Sequence, residues 1–439
     1  MMDARGGGAD GDVVRMMDGY ELSENFVWIT LSDELPCHVD VGCFKNALDA
    51  VTEPYPVFHL SAQPPLWKKL HLKPSECVFE VHWKPREPVE SMDAIVTEGG
   101  RSWFVEVSNR PLSMNKCALV RVKLHVNHSL SDGRTMGMLF SVIMHALLNS
   151  MGTEQREALM KAAPALKALP PLPAPCDLCA FGQVDNYDID RIPRELLDQP
   201  VPSWKLVKPL EALPRIKMPD HYVGDYAEYP LKLWSGYAKS FASRNSGVRP
   251  SLQSAFMAAD SRAMRKYCKL DTDAPVITEV VFDGRNGGYA KPAMHERAFF
   301  CGAGSAFIEV RGKGTWEEDI RACTELLRGK NPPMEAVAWA LQLAAGMNRE
   351  TGEFKNPAGM PSTVRENVVI TTNIGRYDGT TVPRVGVHAP CDEKYVVCQY
   401  IWSTPETIYV LFFHPKTLDH AYVQTYLDSV DELFSFLSS

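Results

Sequence analysis

The chain has 439 residues, of which 45% are hydrophobic and 23% are charged, a composition typical of a globular protein. This length exceeds what one ordinary hydrophobic core organises, so it predicts two domains. The net charge of −8 argues against a nucleic-acid-binding protein, which is expected to carry a basic excess. No apolar run approaches the roughly 18 residues of a membrane-spanning helix, so no membrane span is predicted.

Residues 1–17 are rich in Gly and Asp and lack the apolar segment of a signal peptide. They are predicted to form a disordered tail, and the protein is expected in the cytoplasm. The eleven cysteines are scattered along the chain, as is typical of reduced thiols. Cys176 and Cys179 form a C-x-x-C pair, but no second pair at a suitable spacing completes a zinc site. No metal and no bound cofactor are therefore predicted.

The first domain is predicted over residues 18–163. Apolar residues at helical spacing predict a helix at 41–51. Alternating apolar and polar residues predict strands at 77–83, 103–107 and 117–127. The period then changes to that of a helix over residues 135–149.

A run of prolines over residues 164–215 predicts a connector, and the second domain follows over residues 216–439. In this second domain, helices are predicted at 252–267, 316–328 and 421–437, and strands at 275–283, 367–372 and 407–413. Because strands and helices mix in both halves, the predicted fold class is α/β or α+β.

The strand at 117–127 leads directly into a histidine. Its apolar side chains fall on one face of the strand: Val120, Val122, Leu124 and Val126. His128 continues their parity and is expected to leave the strand on the same inward side. An imidazole in such a position is partly desolvated and near neutral, which suits it to remove a proton.

Asp132 and Gly133 follow shortly after this histidine and precede the helix at 135–149. They are interpreted as a sharp turn in which Gly133 adopts backbone angles that other residues resist. The chain's other histidines lack this combination of strand and turn, and His38, His59, His71, His145 and His420 are interpreted as ordinary core or surface residues.

The segment from His128 through Asp132 to Gly133 resembles the H-x-x-x-D-G signature of the CoA-dependent acyltransferase superfamily. That superfamily includes plant hydroxyl acyltransferases, alcohol acetyltransferases, polyketide-associated acyltransferases and peptide-synthetase condensation domains. Asp283 and Arg285 are similar to its D-x-R strand end. Residues 368–376 resemble the S-N-x-G-R segment of the alcohol and polyketide-associated branch.

This resemblance implies two chloramphenicol-acetyltransferase-like domains, each a mixed sheet with flanking helices, around a central tunnel. It implies direct transfer of an acyl group from a thioester, acyl-CoA or an acyl carrier protein, to the hydroxyl or amine of a small molecule. His128 would be the general base, and Asp132 would pair with Arg285 across the domains to hold the loop. The candidates for binding the oxyanion or a substrate are Asn127, Asn373, Gly375 and Arg376, and Arg376 is a candidate contact for a CoA phosphate.

The sequence also departs from relatives in the superfamily. Condensation domains carry a histidine where Asn127 stands, which favours a diffusible thioester over a carrier-dependent condensation. The resemblance also implies a monomer. Two alternatives stay open: a carrier-protein-dependent condensation-type enzyme, and a non-catalytic relative that binds a small molecule or a protein. Release of free CoA that depends on an acceptor would separate catalysis from binding.

Overall fold

The structure is a computed structural model. It describes residues 13–17, 21, 27–63, 66–84, 101–111, 118–173, 190, 194, 222–283, 303–329, 337–338, 341, 369–381, 383–388, 397–415 and 419–439.

Within these residues the chain forms fourteen strands and seven α-helices. The strands are β1 (Val13–Met16), β2 (Trp28–Leu35), β3 (Leu60–Gln63), β4 (Leu66–Lys69), β5 (Val78–Glu80), β6 (Trp103–Asn109), β7 (Val120–Asn127), β8 (Tyr222–Pro230), β9 (Pro275–Asp283), β10 (Ala303–Arg311), β11 (Val369–Arg376), β12 (Arg384–His388), β13 (Val397–Ser403) and β14 (Thr407–Pro415). The α-helices are α1 (Val41–Thr52), α2 (Gly133–Asn149), α3 (Thr153–Ala162), α4 (Leu231–Arg244), α5 (Leu252–Cys268), α6 (Trp316–Gly329) and α7 (His420–Leu437). Short 3₁₀ helices cover Pro56–His59, Pro74–Cys77 and Pro164–Ala168.

The first half of the chain is built on a five-stranded sheet in the order β12-β2-β7-β6-β5. All neighbours are antiparallel except β5 and β6. The predicted apolar face of β7 is fully buried, with Val120, Val122, Leu124 and Val126 each 0% exposed. This face forms one core with the apolar sides of α1 and α2, which pack on each other.

The second half is built on a six-stranded sheet in the order β10-β9-β11-β13-β14-β8. The inner strands β9, β11 and β13 run parallel, and the outer pairs are antiparallel. Helices α5 and α7 pack together on one face of this sheet and α6 lies beside α5. The sheet is therefore mixed, and strands and helices alternate in the way the predicted class requires.

Strand β12 lies in the second half of the sequence but belongs to the sheet of the first half. It pairs antiparallel with β2, with Val385 opposite Leu31 and Val387 opposite Ile29. Residues of the second half hold it there: Trp402 Nε1 donates to the carbonyl oxygen of Pro383 at 3.1 Å, and the Tyr226 hydroxyl donates to that of Val385. Part of the segment predicted as the second domain thus completes the sheet of the first.

Most predicted helices and strands are confirmed within a few residues. Two segments that were predicted to be disordered or to be a linker contain ordered residues. The predicted disordered tail includes residues 13–17, yet β1 pairs with β4 and Met17 is 1% exposed. Apolar residues that follow the Gly-rich start explain this order, because they bury against the core. The predicted connector begins with an ordered segment, in which Leu166 is 1% exposed. No helix in the described ranges has the length and hydropathy needed to cross a bilayer.

Candidate active site

The loop between β7 and α2 carries the predicted base. Its backbone is closed by hydrogen bonds: the amide of His128 donates to Val27 at 2.8 Å, and that of Leu130 donates to Asn127 at 3.0 Å. The amide of Ser131 donates to the carbonyl oxygen of His128 at 3.2 Å. A short segment held by this many bonds has little freedom to move by itself.

Exposure distinguishes His128 from the rest of this loop. The four residues that follow it are buried: Ser129, Leu130, Ser131 and Asp132. His128 is half-buried, so it is the residue of this loop with appreciable exposure to solvent. Because β7 ends at Asn127 and His128 begins a turn, strand parity does not determine the direction of its side chain.

Asn127 shapes the turn. Its side-chain oxygen accepts a hydrogen bond from the amide of Ser129 at 3.0 Å and another from the Ser129 hydroxyl. With only 3% of Asn127 exposed, this side chain is placed to hold the loop instead of reaching a substrate.

Asp132 is the N-cap of α2. Its Oδ1 accepts a hydrogen bond from the amide of Thr135 at 2.8 Å, and its charge lies at the helix N-terminus, where the helix dipole favours an anion. Asp132 is 4% exposed. Its predicted partner Arg285 lies outside the described residues, so the pairing of these two stays a prediction.

Gly133 is required for a different reason than the one predicted. The glycines with positive φ in the described part of the chain are Gly247, Gly314, Gly375 and Gly379, and Gly133 is not among them. Instead, a Cβ on Gly133 would lie 2.5 Å from Cβ of Ile374, a contact that real structures do not show. The turn interpretation of Gly133 is therefore wrong, because close packing of α2 against β11 excludes a side chain there.

Gly137 extends this contact by one helical turn. A Cβ on Gly137 would lie 2.7 Å from Cε1 of Tyr377. The Tyr377 hydroxyl donates to the carbonyl oxygen of Gly133 at 3.0 Å. Burial raises the pKa of Tyr377, and the nearby charge of Asp132 raises it further, so the phenol stays protonated and is a hydrogen-bond donor. Tyr377 was not among the predicted site residues, because no local pattern links it to α2.

An ion pair joins the same two halves nearby. Arg134 Nη1 lies 3.0 Å from Asp283 Oδ2, with the two side chains 32% and 19% exposed. Arg134 was not predicted as a site residue. The sequence does offer a signal, because residues 132–134 and 283–285 are both Asp-Gly-Arg.

The end of β11 presents the remaining candidates. Asn373 Oδ1 accepts a hydrogen bond from the amide of Gly375 at 3.0 Å, and the pairing of β11 with β13 shifts register between these two residues. Gly375 has a φ of 103°, which favours glycine. Arg376 Nε donates to Asp378 Oδ1 at 2.6 Å, and the Arg376 side chain is 54% exposed. All three predicted residues are exposed.

A cavity of about 680 Å³ lies between the start of α2, the ends of β9 and β11, and residues 169–173 of the connector. Five predicted site residues line it together: Asp132, Gly133, Asn373, Gly375 and Arg376. His128 and Asn127 are not among the described residues of its wall, so the cavity lies on the Asp132 side of the loop.

The connector supplies an apolar wall of this cavity. The Tyr55 hydroxyl donates a hydrogen bond to the carbonyl oxygen of Pro173 at 2.7 Å. His145 Nε2 forms a hydrogen bond with the carbonyl oxygen of Pro170 at 2.8 Å. Leu172 is 40% exposed on this wall. A segment predicted as a linker thus contributes apolar surface next to the polar end of β11.

Metal binding has no candidate in the described ranges, where no three His, Cys, Asp or Glu side chains cluster in a way that could hold an ion. The Cys176 and Cys179 pair lies outside these ranges.

Comparison with known proteins gives matches among solved structures alone. No family model matches the chain, and no curated protein matches it. Trichothecene 15-O-acetyltransferase TRI3 from Fusarium sporotrichioides is similar with a TM-score of 0.65 at 13% identity, over 96% of this chain and 95% of that one.

Two further structures match over nearly their whole length. Polyketide synthase associated protein 5 from Mycobacterium tuberculosis has a TM-score of 0.56 at 14% identity, over 97% of this chain and 98% of that one. F. graminearum TRI101, complexed with coenzyme A and deoxynivalenol, has a TM-score of 0.58 at 12% identity, over 95% and 97%. The predicted fold class, with two chloramphenicol-acetyltransferase-like domains, is confirmed.

Proposed function

We propose that this chain, which has the two-domain fold of CoA-dependent acyltransferases, transfers an acyl group from acyl-CoA to a hydroxyl group of a small molecule. His128 would be the general base. The observation that carries the proposal is the exposure of His128 in an otherwise buried loop, within a fold shared with an acetyltransferase. We propose a hydroxyl instead of an amine as the acceptor because TRI3, one of the similar structures, is a 15-O-acetyltransferase.

In the proposed reaction, His128 removes the proton from the acceptor hydroxyl while the oxygen of that hydroxyl attacks the thioester carbonyl carbon. A carbon–oxygen bond forms, and the carbonyl becomes a tetrahedral oxyanion. The carbon–sulfur bond then breaks, the thiolate leaves, and the imidazolium returns the proton to give free CoA. A positioned base of this kind contributes roughly 10²–10⁴-fold to the rate.

Asn373 is our candidate for stabilising the oxyanion. Its Oδ1 is engaged by the amide of Gly375, which leaves its NH₂ group to donate. Asn373 is exposed and lines the cavity next to the His128 loop. Hydrogen-bond donors fixed near the developing charge are among the largest contributions to catalysis of acyl transfer.

The cavity is our candidate for the donor site. Arg376 stands at its polar end, and its exposed pair with Asp378 is weak enough to be replaced by a phosphate. The apolar connector wall offers surface to an acyl or pantetheine chain. A structure of the same fold was solved with coenzyme A and a second small molecule, which supports two substrates meeting on this architecture.

The test is thiol release from a panel of short to long acyl-CoAs, mixed with pooled alcohols and amines. We expect the wild type to release CoA only with an acceptor, and His128→Ala to lose at least about two orders of magnitude. His420→Ala, at an exposed histidine on α7, is the matched control and should keep its rate.

Three results would count against parts of the proposal. Equal turnover by the wild type and His128→Ala would reject His128 as the base. Turnover that appears only when the acyl group is loaded on a carrier protein would show that the donor is an acyl carrier protein and not acyl-CoA. Tight binding of a small molecule without turnover of either donor would point to a non-catalytic relative.

A further inference from the structure

We propose that Tyr377 is a positioning residue for His128. Its hydroxyl, through the hydrogen bond to the Gly133 carbonyl oxygen at 3.0 Å, would fix the start of α2 and the attached His128 loop against the end of β11. This inference rests on the proposed function, because it names the group that aligns the base with the candidates on β11.

Tyr377 is held firmly on its own side of the contact. Its amide donates to the carbonyl oxygen of Ser403 at 2.8 Å, and its carbonyl oxygen accepts from the Thr380 hydroxyl at 2.9 Å. The residue is 5% exposed and its ring lies against Gly137. Tyr377 is therefore anchored to the second half of the chain by bonds that do not involve α2.

The loop side is stiff enough to transmit this restraint. The amide of Ser131 donates to His128, and the amide of Met136 donates to Asp132 at 2.8 Å. The side chain of Asp132 in turn accepts a hydrogen bond from the amide of Thr135. Because the turn and the first helical turn are bonded in series, a shift of Gly133 moves the base as well.

The chemistry fixes the direction of the bond. A carbonyl oxygen can only accept, and burial together with Asp132 keeps the phenol of Tyr377 protonated. The bond is short-range and directional, so it can select one placement of the loop, which apolar packing of the ring on Gly137 cannot do alone.

Tyr377→Phe tests the inference, because it removes the hydroxyl and keeps the ring. Tyr267→Phe is the matched control, since its hydroxyl bonds Asp419 at 2.6 Å on an exposed surface. For Tyr377→Phe we expect kcat to fall at least about tenfold, with KM changed by less than about twofold. The melting temperature should move by less than about 4 °C.

A second readout follows His128 without turnover. Diethylpyrocarbonate carbethoxylates accessible imidazoles, and mass spectrometry of the peptides gives the rate at each histidine. We expect a severalfold faster reaction at His128 in Tyr377→Phe, with no change at His145 or His420. Tyr267→Phe should behave as the wild type does.

The outcomes separate this inference from the proposed function. Unchanged carbethoxylation of His128 overturns the positioning role, whatever the activity. Faster reaction at all three histidines overturns it too, because it reports general loosening. If His128 alone reacts faster but kcat of an active enzyme is unchanged, the loop is held by Tyr377 for no catalytic purpose and the inference fails. If the wild type turns over no substrate, the proposed function fails and the carbethoxylation rates still decide whether Tyr377 positions His128.

Discussion

Arg134 Nη1 lies 3.0 Å from Asp283 Oδ2, and this ion pair joins the first turn of α2 to the last residue of β9. Each partner belongs to an Asp-Gly-Arg tripeptide, one at 132–134 and one at 283–285. If Asp132 pairs with Arg285 as the family resemblance implies, the Asp of each tripeptide forms an ion pair with the Arg of the other. The observed pair would then be one half of a symmetric contact between the two domains.

We expect a double-mutant cycle on Arg134→Ala and Asp283→Ala to give a coupling energy of about 1 kcal/mol. The pair is partly exposed, so solvent screening limits it. Urea unfolding followed by tryptophan fluorescence measures it. The pair between Lys266 and Glu432, with both side chains more than half exposed, is the control and should give a coupling near zero. Equal coupling in both cycles would contradict a special role for Arg134.

Gly133→Ala should destabilise the protein by about 1–3 kcal/mol, because the new Cβ would overlap the Ile374 side chain and force α2 away from β11. Gly236→Ala in α4 is the matched control, since nothing lies within 4 Å of a Cβ at that exposed helical position. The control should gain about 0.5–1 kcal/mol from helix propensity. Chemical denaturation of both variants measures the contrast, and a neutral Gly133→Ala would refute the close-packing explanation.

Asp132 can be tested by comparing two substitutions. Asn keeps an N-cap, so Asp132→Asn removes only the charge. If Asp132 pairs with Arg285 as proposed, we expect this substitution to cost about 3 kcal/mol. Asp132→Ala also removes the cap to Thr135 and should cost about 1 kcal/mol more. Unfolding free energies and thiol-release rates are the measurements. Asp132→Asn with normal stability and activity would contradict the pairing of Asp132 with Arg285.

Asp260 in α5 predicts a pH dependence of stability. It is 1% exposed, accepts a hydrogen bond from the Thr371 hydroxyl, and burial raises its pKa to about 7, from 3.8 in a solvated carboxyl. The folded state therefore holds the proton more tightly than the unfolded state. The stabilisation is complete below about pH 3.8 and is lost as the pH rises through about 7.

Asp260→Asn cannot titrate at this position. Its unfolding free energy should therefore not show the part of the decline with rising pH that comes from Asp260. Relative to the wild type it should gain on the order of 1 kcal/mol per pH unit between about pH 4 and 7, and level off above that. Denaturant unfolding at several pH values measures the difference. Asp271→Asn, at an exposed carboxyl, is the control. Parallel pH profiles for the wild type and Asp260→Asn would exclude a raised pKa.

Local patterns predicted the elements that build the site. The alternation in β7 and the apolar stripe of α2 located the strand and helix on either side of His128. The prediction of α2 began two residues late, because Gly133 and Arg134 carry no apolar signal and the cap at Asp132 marks the start instead. Such elements are set by residues a few positions apart, which a sequence displays directly.

Contacts between distant segments could not be predicted. The need for glycine at 133 comes from Ile374, and the hydrogen bond to Gly133 comes from Tyr377, both in the other half of the chain. The cavity wall was interpreted as a linker because its prolines mark irregular backbone. Tyr55 and His145 hold it by hydrogen bonds to Pro173 and Pro170, which no periodicity reveals. Tertiary packing, and not propensity, decides these features.

The position of β12 has a consequence for synthesis on the ribosome. The sheet of the first half lacks its β12 edge until His388 has emerged, when most of the chain has already been made. Until then β2 presents an unpaired edge, the kind of surface that recruits foreign strands. A version truncated before Arg384 should therefore aggregate even though it contains His128 and α2, whereas a chain cut within residues 174–189 should keep its two pieces together through β12.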